Sequence, residues 1–253
     1  MGLLDGKVAI VTAAAGAGIG QGAARRFLQE GAQVVISDAH PRRVQEVAEA
    51  MSRDFDREVL ALAVDVREPD QVRAMVDTTL AKHGQIDILM NNAGINKLAP
   101  VWEMDDETWR LVIDVNLTGT FNCIRAVLPV MIEQQSGAIV SMSSSAGWIG
   151  SRDGEAHYCA AKAGVMALTR AAAAEVGRHG IRINAIAPGV IYNEFLSRIY
   201  PAEFFERAKR GIPLGRLGEP RDVAQLALFL ASDLSGYITG EVHSISGGAI
   251  MHA

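Results

Sequence analysis

Short apolar runs alternate with longer helical stretches along almost the whole chain. Val8-Ala9-Ile10-Val11-Thr12 is typical, because an uninterrupted apolar run of this length fits a strand buried on both faces of a parallel sheet. Strands are predicted at 8–12, 33–38, 59–64, 86–91, 138–142 and 181–187, and helices at about 21–30, 41–53, 70–83, 106–135 and 158–179. Such alternation produces right-handed βαβ crossovers. The sequence therefore predicts an α/β fold with a doubly wound, parallel sheet and helices on both faces.

Composition narrows the class of protein. The 253 residues, 49% hydrophobic and 21% charged, can bury a substantial core, and no linker interrupts them, so we expect a single domain over 1–253. The net charge of −5 gives no basic footprint for nucleic acid. No uninterrupted apolar run approaches the ~20 residues of a membrane span. Cys123 and Cys159 lack metal or redox spacing. We expect a cytoplasmic protein that binds no metal, nucleic acid or membrane.

Polar and glycine-rich features fall at the carboxyl ends of the predicted strands. These features are the glycine cluster 16–20, Asp38, Asp65, Asn92 and Ser144. Ligands of such sheets bind beyond the carboxyl ends of the strands. A glycine cluster between a strand and a helix lets a pyrophosphate approach backbone N–H groups, although a tight turn without a ligand has the same composition. The spacing favours a dinucleotide site.

Asp38 indicates which dinucleotide is bound. It lies 20 residues after Gly18, at the end of the second predicted strand. A carboxylate at this point accepts hydrogen bonds from the ribose hydroxyls and repels a 2′-phosphate, which favours NAD over NADP. The alternative interpretation rests on Arg42 and Arg43, which follow closely and would attract such a phosphate. A solvated helix face also explains these two arginines.

Tyr158 and Lys162 form a candidate catalytic pair. Four residues apart on a predicted helix, they lie on the same face. A phenol has a pKa near 10, and a neighbouring ammonium favours the phenolate, so we expect Lys162 to lower the pKa of Tyr158. A core tyrosine beside a surface lysine would show the same spacing.

Together these residues resemble the short-chain dehydrogenase/reductase family over essentially the whole chain. The matching positions are Thr12, Gly16, Gly18, Gly20, Asp65-Val66, Asn91-Asn92-Ala93-Gly94, Asn116, Ser144, Tyr158, Lys162, Asn184 and Pro188-Gly189. The resemblance implies a Rossmann-like, doubly wound, parallel seven-stranded sheet whose last strand lies near 241–246. It also implies hydride transfer between a nicotinamide and a secondary alcohol or ketone. The cofactor-binding residues it implies are Thr12, Gly16, Gly18, Ile19, Gly20, Asp38, Asp65, Val66, Asn92, Ala93, Gly94, Tyr158, Lys162, Pro188, Gly189 and Ile191.

The resemblance also implies a catalytic set: Asn116, Ser144, Tyr158 and Lys162. Tyr158 would exchange the proton with the reacting oxygen, and Ser144 would hydrogen-bond that oxygen. Lys162 would bind the nicotinamide ribose, and Asn116 would hold a water that links Lys162 to solvent. Spacing distinguishes Ser144 only weakly from its neighbours Ser143 and Ser145.

Three positions depart from the family pattern. Ala13 stands where glycine is usual, and because alanine disfavours a positive φ we expect the glycine loop to follow a different path. Asn193 replaces a threonine, and Ser246 replaces an aspartate before Gly247. None of these changes removes a catalytic group.

The segment at about 190–212 corresponds to the family's substrate lid. Its aromatic residues favour a bulky apolar substrate, although packing of the lid on the body would also use them. Its basic residues suit a substrate carboxylate or the phosphates of a CoA or carrier-protein thioester. A solvated basic face would also explain them. We expect Trp148, Arg152, Tyr192 and Phe195 to contact the substrate.

The chain looks most like bacterial 3-oxoacyl-thioester reductases and hydroxysteroid or steroid-degradation dehydrogenases. The family, together with the small residues of 160–174, implies a homotetramer. A non-catalytic dinucleotide-binding sensor or scaffold is the alternative function, and an epimerase or dehydratase would need a larger second lobe. The complete catalytic set favours an enzyme.

Overall fold

The computed structural model describes residues 2–251, apart from the side chain of Phe195. Within these residues, seven parallel strands form one sheet. They are β1 (Val8–Thr12), β2 (Gln33–Asp38), β3 (Leu60–Ala63), β4 (Ile88–Asn91), β5 (Gly137–Met142), β6 (Ile181–Pro188) and β7 (Val242–Ile245). Their order across the sheet is β3-β2-β1-β4-β5-β6-β7. The strand order reverses between β1 and β4, and a crevice for ligands opens at such a switch point.

Helices cover both faces of the sheet. They are α1 (Ile19–Gln29), α2 (Pro41–Phe55), α3 (Pro69–His83), α4 (Asp106–Ile113), α5 (Gly119–Gln134), α6 (Ala156–Val176), α7 (Glu194–Ile199), α8 (Ala202–Arg210) and α9 (Pro220–Ala231). Side chains of successive strand residues point to opposite faces. Val11 accordingly packs in one core with residues of α1, α2 and α9. Ile10 packs in the other core with residues of α3, α5 and α6. The predicted single-domain, doubly wound fold is confirmed.

The helix predicted over 106–135 contains an irregular turn. A π-helical turn, Asp114–Thr118, lies between α4 and α5. Inside it, the Asn116 amide donates hydrogen bonds to the carbonyl oxygens of Ile95 and Val112, both at 2.8 Å. Such turns occur frequently at functional sites. The irregularity brings a buried amide to the floor of the crevice.

One described helical segment, Asp106–Gln134, is long and apolar enough to cross a bilayer by length and composition alone. It meets this criterion although the sequence has no uninterrupted apolar run of that length. In its most apolar window 44% of the residues are buried inside the domain. Core helices of soluble proteins meet the same criterion, so it is weak evidence for a membrane.

Candidate active site

A cavity of about 1250 Å³ lies at the carboxyl ends of the central strands. Its walls bring together residues that are far apart in the sequence. The predicted site residues that line it are Gly16, Gly18, Ile19, Gly20, Asp38, Asp65, Val66, Asn92, Ala93, Gly94, Ser144, Arg152, Tyr158, Lys162, Pro188, Gly189 and Ile191. One crevice therefore contains most of the predicted cofactor and catalytic positions.

Four predicted residues do not line this cavity. Thr12 is buried beneath it, and its hydroxyl accepts hydrogen bonds from the backbone N–H groups of Asn92 (2.9 Å) and Ala93 (3.1 Å). Asn116 is fully buried below the cavity floor. Trp148 is half-buried, and Tyr192 is 51% exposed and packs edge-on against Phe205. The predicted contact through the side chain of Phe195 lies outside the described part of the structure.

The loop after β1 corrects the expectation about Ala13. Alanine does adopt the left-handed conformation here, with φ of 50°, so the expectation that the loop would avoid a positive φ is wrong. The Asn92 side-chain amide donates hydrogen bonds to the carbonyls of Thr12 (3.1 Å) and Ala13 (3.0 Å). These bonds hold the carbonyl of Ala13 in place despite the cost of a left-handed alanine.

The glycine loop leaves room for a ligand beside α1. A Cβ atom at Gly16 or Gly18 would meet no atom within 4 Å, whereas one at Gly20 would lie 2.5 Å from Asn92 Nδ2. No side chain caps α1 at Gly18. The first N–H groups of the helix are therefore available to an anion, and the helix dipole favours negative charge there.

Asp38 lies at the end of β2 and is 8% exposed. Its carboxylate accepts hydrogen bonds from the backbone N–H groups of Ala15 (3.3 Å) and His40 (3.0 Å). It also forms a 3.2 Å ion pair with Arg43, which lines the cavity as well. Arg42 instead pairs with Glu46 on the outer face of α2. Of the two arginines considered as phosphate ligands, Arg43 is the one positioned at the cavity.

Asp65 is already paired with a cation at the same end of the cavity. The guanidinium of Arg67 holds both carboxylate oxygens at 2.6–3.0 Å and keeps the pKa of Asp65 below its usual value. Arg67 was missed by sequence reasoning, although it lies only two residues from Asp65.

Tyr158 reaches the opposite end of the cavity from the first turn of α6. Burial raises the pKa of its phenol to about 12, although the neighbouring Ser144 hydroxyl acts in the opposite direction. Ser143 is used differently, because its hydroxyl donates a 2.8 Å hydrogen bond to the carbonyl of Lys162. The structure therefore distinguishes Ser144 from Ser143 as the serine that faces Tyr158.

Lys162 is 3% exposed and lies one turn further along α6. Its Nζ donates a 2.8 Å hydrogen bond to the carbonyl of Met142 and lies 5.4 Å from the centroid of the Tyr158 ring. Burial lowers the pKa of this amine to about 7. The expectation that Lys162 lowers the pKa of Tyr158 does not hold in this structure, because burial penalises the charged form of both groups.

Asn116 and Lys162 both approach Gly94. A Cβ atom at Gly94 would lie 2.8 Å from Asn116 Oδ1 and 3.3 Å from Lys162 Nζ. Asn116 Oδ1 is buried and has no hydrogen-bond partner among the described residues. A buried acceptor without a partner is a site for an ordered water.

The segment 190–212 forms one wall beyond Tyr158. It carries α7 and α8, and Leu196, Ile199, Tyr200 and Phe204 line the cavity. Asn193 also lines it, and the Asn193 side-chain oxygen accepts a 3.1 Å hydrogen bond from the Leu196 N–H at the start of α7.

Two polar lining residues near this wall, Asn96 and Glu155, were missed by sequence reasoning. The signal that could have found them is their distance from established positions: Asn96 lies two residues after Gly94, and Glu155 three before Tyr158.

The two ends of the cavity suit the two halves of a dinucleotide. The carboxylate and arginines near β2 and β3 suit an adenosine, the open glycine loop suits a pyrophosphate, and Tyr158 with Lys162 marks the reactive end. The open space beside Gly16 and Gly18, where an added Cβ atom would meet no atom within 4 Å, fits such a ligand.

Comparisons with known proteins agree with this arrangement. A family model described as enoyl-(acyl carrier protein) reductase matches residues 13–250. The chain is 47% identical to a (5R,7aS)-5-hydroxy-7a-methyl-1-oxo-2,3,5,6,7,7a-hexahydro-1H-indene-carboxyl-CoA reductase of Mycobacterium tuberculosis, over 97% of this chain and 94% of that protein. It is 42% identical to the 3-oxoacyl-(acyl-carrier-protein) reductase FabG of Thermotoga maritima, over 98% and 99%.

A crystal structure of a short-chain type dehydrogenase/reductase from Mycobacterium marinum superposes with a TM-score of 0.93 at 36% identity, covering 98% of this chain and 97% of that one. Fold, family model and relatives agree over nearly the whole chain. The chain therefore belongs to the short-chain dehydrogenase/reductase family of oxidoreductases, whose members bind a nicotinamide dinucleotide and act on carbonyl or hydroxyl groups.

Proposed function

We propose that this protein interconverts a secondary alcohol and a ketone with NAD(H), using Tyr158 as the acid and base. The observation that carries the proposal is that Tyr158, Ser144 and Lys162 line one wall of the same cavity, with the buried amine of Lys162 one turn behind Tyr158. A bound nicotinamide supplies or accepts the hydride at its C4 atom.

Tyr158 is a proton donor in the direction of reduction. Because its pKa is raised to about 12, the phenol holds its proton at neutral pH and can deliver it to the carbonyl oxygen. Ser144 hydrogen-bonds the same oxygen, where negative charge develops. In the direction of oxidation the proton returns from the alcohol to Tyr158.

Lys162 and Asn116 replace the proton that Tyr158 loses. The pKa of Lys162, lowered to about 7, lets the amine gain and lose a proton near neutral pH. An ordered water on the unpartnered Asn116 Oδ1 beside Gly94 would lead toward solvent. The roles of these two residues are positioning and proton supply rather than contact with the substrate.

We propose NAD rather than NADP as the cofactor. Asp38 presents a carboxylate fixed by two backbone N–H groups at the adenosine end, and a 2′-phosphate would lie against this negative charge. Its ion pair with Arg43 offsets part of that repulsion, so the preference is a balance between the two side chains.

The proposed substrate is bulky and largely apolar, such as a 3-oxoacyl thioester or a steroid-like ketone. The apolar lining contributed by 190–212 supports this choice, together with relatives named for a bicyclic carboxyl-CoA and for 3-oxoacyl carrier-protein substrates. We propose that 190–212 acts as a lid that excludes water from the reaction.

The test is oxidation of NADH or NADPH, followed by absorbance, with acyl-CoA, steroid and small ketones. At least one bulky ketone should support turnover, and Tyr158→Phe should lower kcat by about 10²- to 10⁴-fold. Tyr237→Phe, at a fully exposed tyrosine, is the matched control and should leave kcat unchanged. Equal activity of Tyr158→Phe and wild type would exclude the proposed mechanism.

We further propose a cytoplasmic homotetramer that binds neither membrane nor nucleic acid. Trp109 on α4 and Phe121 on α5 are each about 40% exposed, and these large aromatic side chains on neighbouring helices support pairing with a second subunit. Sedimentation at micromolar concentration should give four times the 27.0 kDa of the chain. A monomer at that concentration would contradict the proposal.

A further inference from the structure

Three segments of the chain meet at one carboxylate oxygen near Tyr158. Glu155 Oε1 accepts a 2.6 Å hydrogen bond from the side-chain amide of Asn96 and another from the hydroxyl of Tyr200. The Asn96 amide also donates to the Tyr200 hydroxyl, at 3.1 Å. Asn96 follows β4, Glu155 precedes α6, and Tyr200 follows α7, so the contact joins the segment 190–212 to the body of the domain.

Tyr200 is held firmly within its own segment. It is 9% exposed, and its ring stacks on Phe204 with the centroids 4.1 Å apart. A second polar contact lies alongside, where Arg207 pairs with Asp153 at 3.6 Å. Both contacts end on the same short stretch, 153–155, immediately before α6.

Glu155 is also part of the turn that carries Tyr158. It is the N-cap residue of α6, yet its side chain does not cap the helix. Its main-chain carbonyl accepts a 2.8 Å hydrogen bond from the N–H of Cys159. A shift of Glu155 therefore moves the first turn of α6, and the carboxylate is free to bind Tyr200 because it takes no part in capping.

We propose that Glu155 is a positioning residue that holds the segment 190–212 closed over the cavity through Tyr200 and so keeps the substrate end of the cavity in its binding shape. The proposal rests on the proposed function for its kinetic consequences but not for the contact itself. Substrate binding should depend on the contact more than cofactor binding does, because Glu155 and Tyr200 lie at the end of the cavity opposite Asp38.

The test compares Tyr200→Phe, Glu155→Ala and Glu155→Gln with wild type. Phenylalanine keeps the stacking on Phe204 but removes the hydroxyl, and glutamine keeps an acceptor oxygen for Asn96 and Tyr200. Tyr200→Phe and Glu155→Ala should raise KM for the ketone about tenfold, with kcat falling less than threefold and the Kd for NADH within twofold of wild type. Glu155→Gln should restore KM to within threefold.

A second measurement does not need activity. Trypsin can cleave at Arg198, Arg207, Lys209 and Arg210 within the segment, so a loosened segment should be cut faster. Tyr200→Phe and Glu155→Ala should be cleaved there at least fivefold faster than wild type. Glu203→Gln, an exposed position on α8, is the control and should match wild type.

The outcomes separate the two proposals. If no ketone supports turnover by wild type, the proposed function fails, while cleavage of the same variants still decides whether Glu155 holds the segment. Wild-type KM and cleavage rate in both Tyr200→Phe and Glu155→Ala would overturn the inference. Equal loss of thermal stability and NADH binding in all three variants would also overturn it, because that pattern indicates a general structural role.

Discussion

The Nζ atom of Lys162 donates a 2.8 Å hydrogen bond to the carbonyl oxygen of Met142, and it reaches no carboxylate within ion-pair distance among the described residues. A charged amine in this position loses its hydration and gains only a dipole in return. The pKa of Lys162 is lowered to about 7 for this reason. Keeping Lys162 charged in this position therefore lowers the free energy of unfolding.

Lys162→Met should remove this cost. The unfolded lysine, with a pKa near 10.5, keeps a proton that the folded one loses above about pH 7, so wild-type stability should rise as pH increases from 7 to 10.5. Below pH 7 the penalty is fully present, and the variant should be more stable than wild type by about 1 to 3 kcal/mol. Urea unfolding at pH 6.5 and 9.5 measures both effects.

The advantage of Lys162→Met should shrink at pH 9.5, while its turnover is lost at both pH values. Arg170→Met, at an exposed position on the same helix, is the control and should show no such pH dependence. Equal stability of the Lys162 variant and wild type at pH 6.5 would show that the buried amine carries no penalty.

Asp38→Ala should shift the cofactor preference toward NADP. The change removes the charge that opposes a 2′-phosphate and frees Arg43, its 3.2 Å partner, to bind one. We expect the ratio of kcat/KM for NADH over NADPH to fall at least tenfold. The double change Asp38→Ala with Arg43→Ala should lose most of the gain for NADPH, and a wild-type enzyme that prefers NADPH would contradict the assignment.

Ala13→Gly should stabilise the protein. At a φ of 50° alanine carries steric strain that glycine avoids. The greater conformational freedom of glycine in the unfolded chain offsets part of this advantage, so the free energy of unfolding should rise by about 0.5 to 1 kcal/mol. Thermal unfolding measures the change. Ala14→Gly is the control, because Ala14 is fully buried and has no positive φ, so glycine there should destabilise the protein.

Gly20→Ala should weaken dinucleotide binding. The added methyl would lie 2.5 Å from Asn92 Nδ2 and 2.8 Å from the carbonyl oxygen of Ala13, and only the side chain can move away easily. That movement breaks the hydrogen bonds that shape the loop, so the Kd for NADH should rise at least tenfold in fluorescence titration. In Gly22→Ala the nearest atom is Pro220 Cβ at 3.4 Å, an ordinary contact, and binding should be retained.

Local pattern was sufficient for the central strands and for the helices between them, because apolar runs and glycine residues act over a few positions, but it did not predict α7, α8 or α9. It was also sufficient to place Gly20, Asp38 and Tyr158 at one edge of the sheet, since parallel strands all end there. The π-helical turn at Asn116 was not predictable from local pattern, because one of the two hydrogen bonds that hold the Asn116 side chain runs to Ile95, 21 residues away. The conformation of Ala13 was misjudged for the same reason, since the Asn92 side chain, just after the neighbouring strand β4, holds its carbonyl.

The sequence alone determined the order of the elements, and therefore the doubly wound sheet, the crevice and the residues that border it. Only the tertiary structure decided how those residues are charged and connected. Burial of Lys162 and Tyr158, the pairing of Asp38 with Arg43, and the junction of Asn96, Glu155 and Tyr200 depend on segments distant in the chain. Solvation and hydrogen bonding are set by three-dimensional neighbours, which no local spacing records.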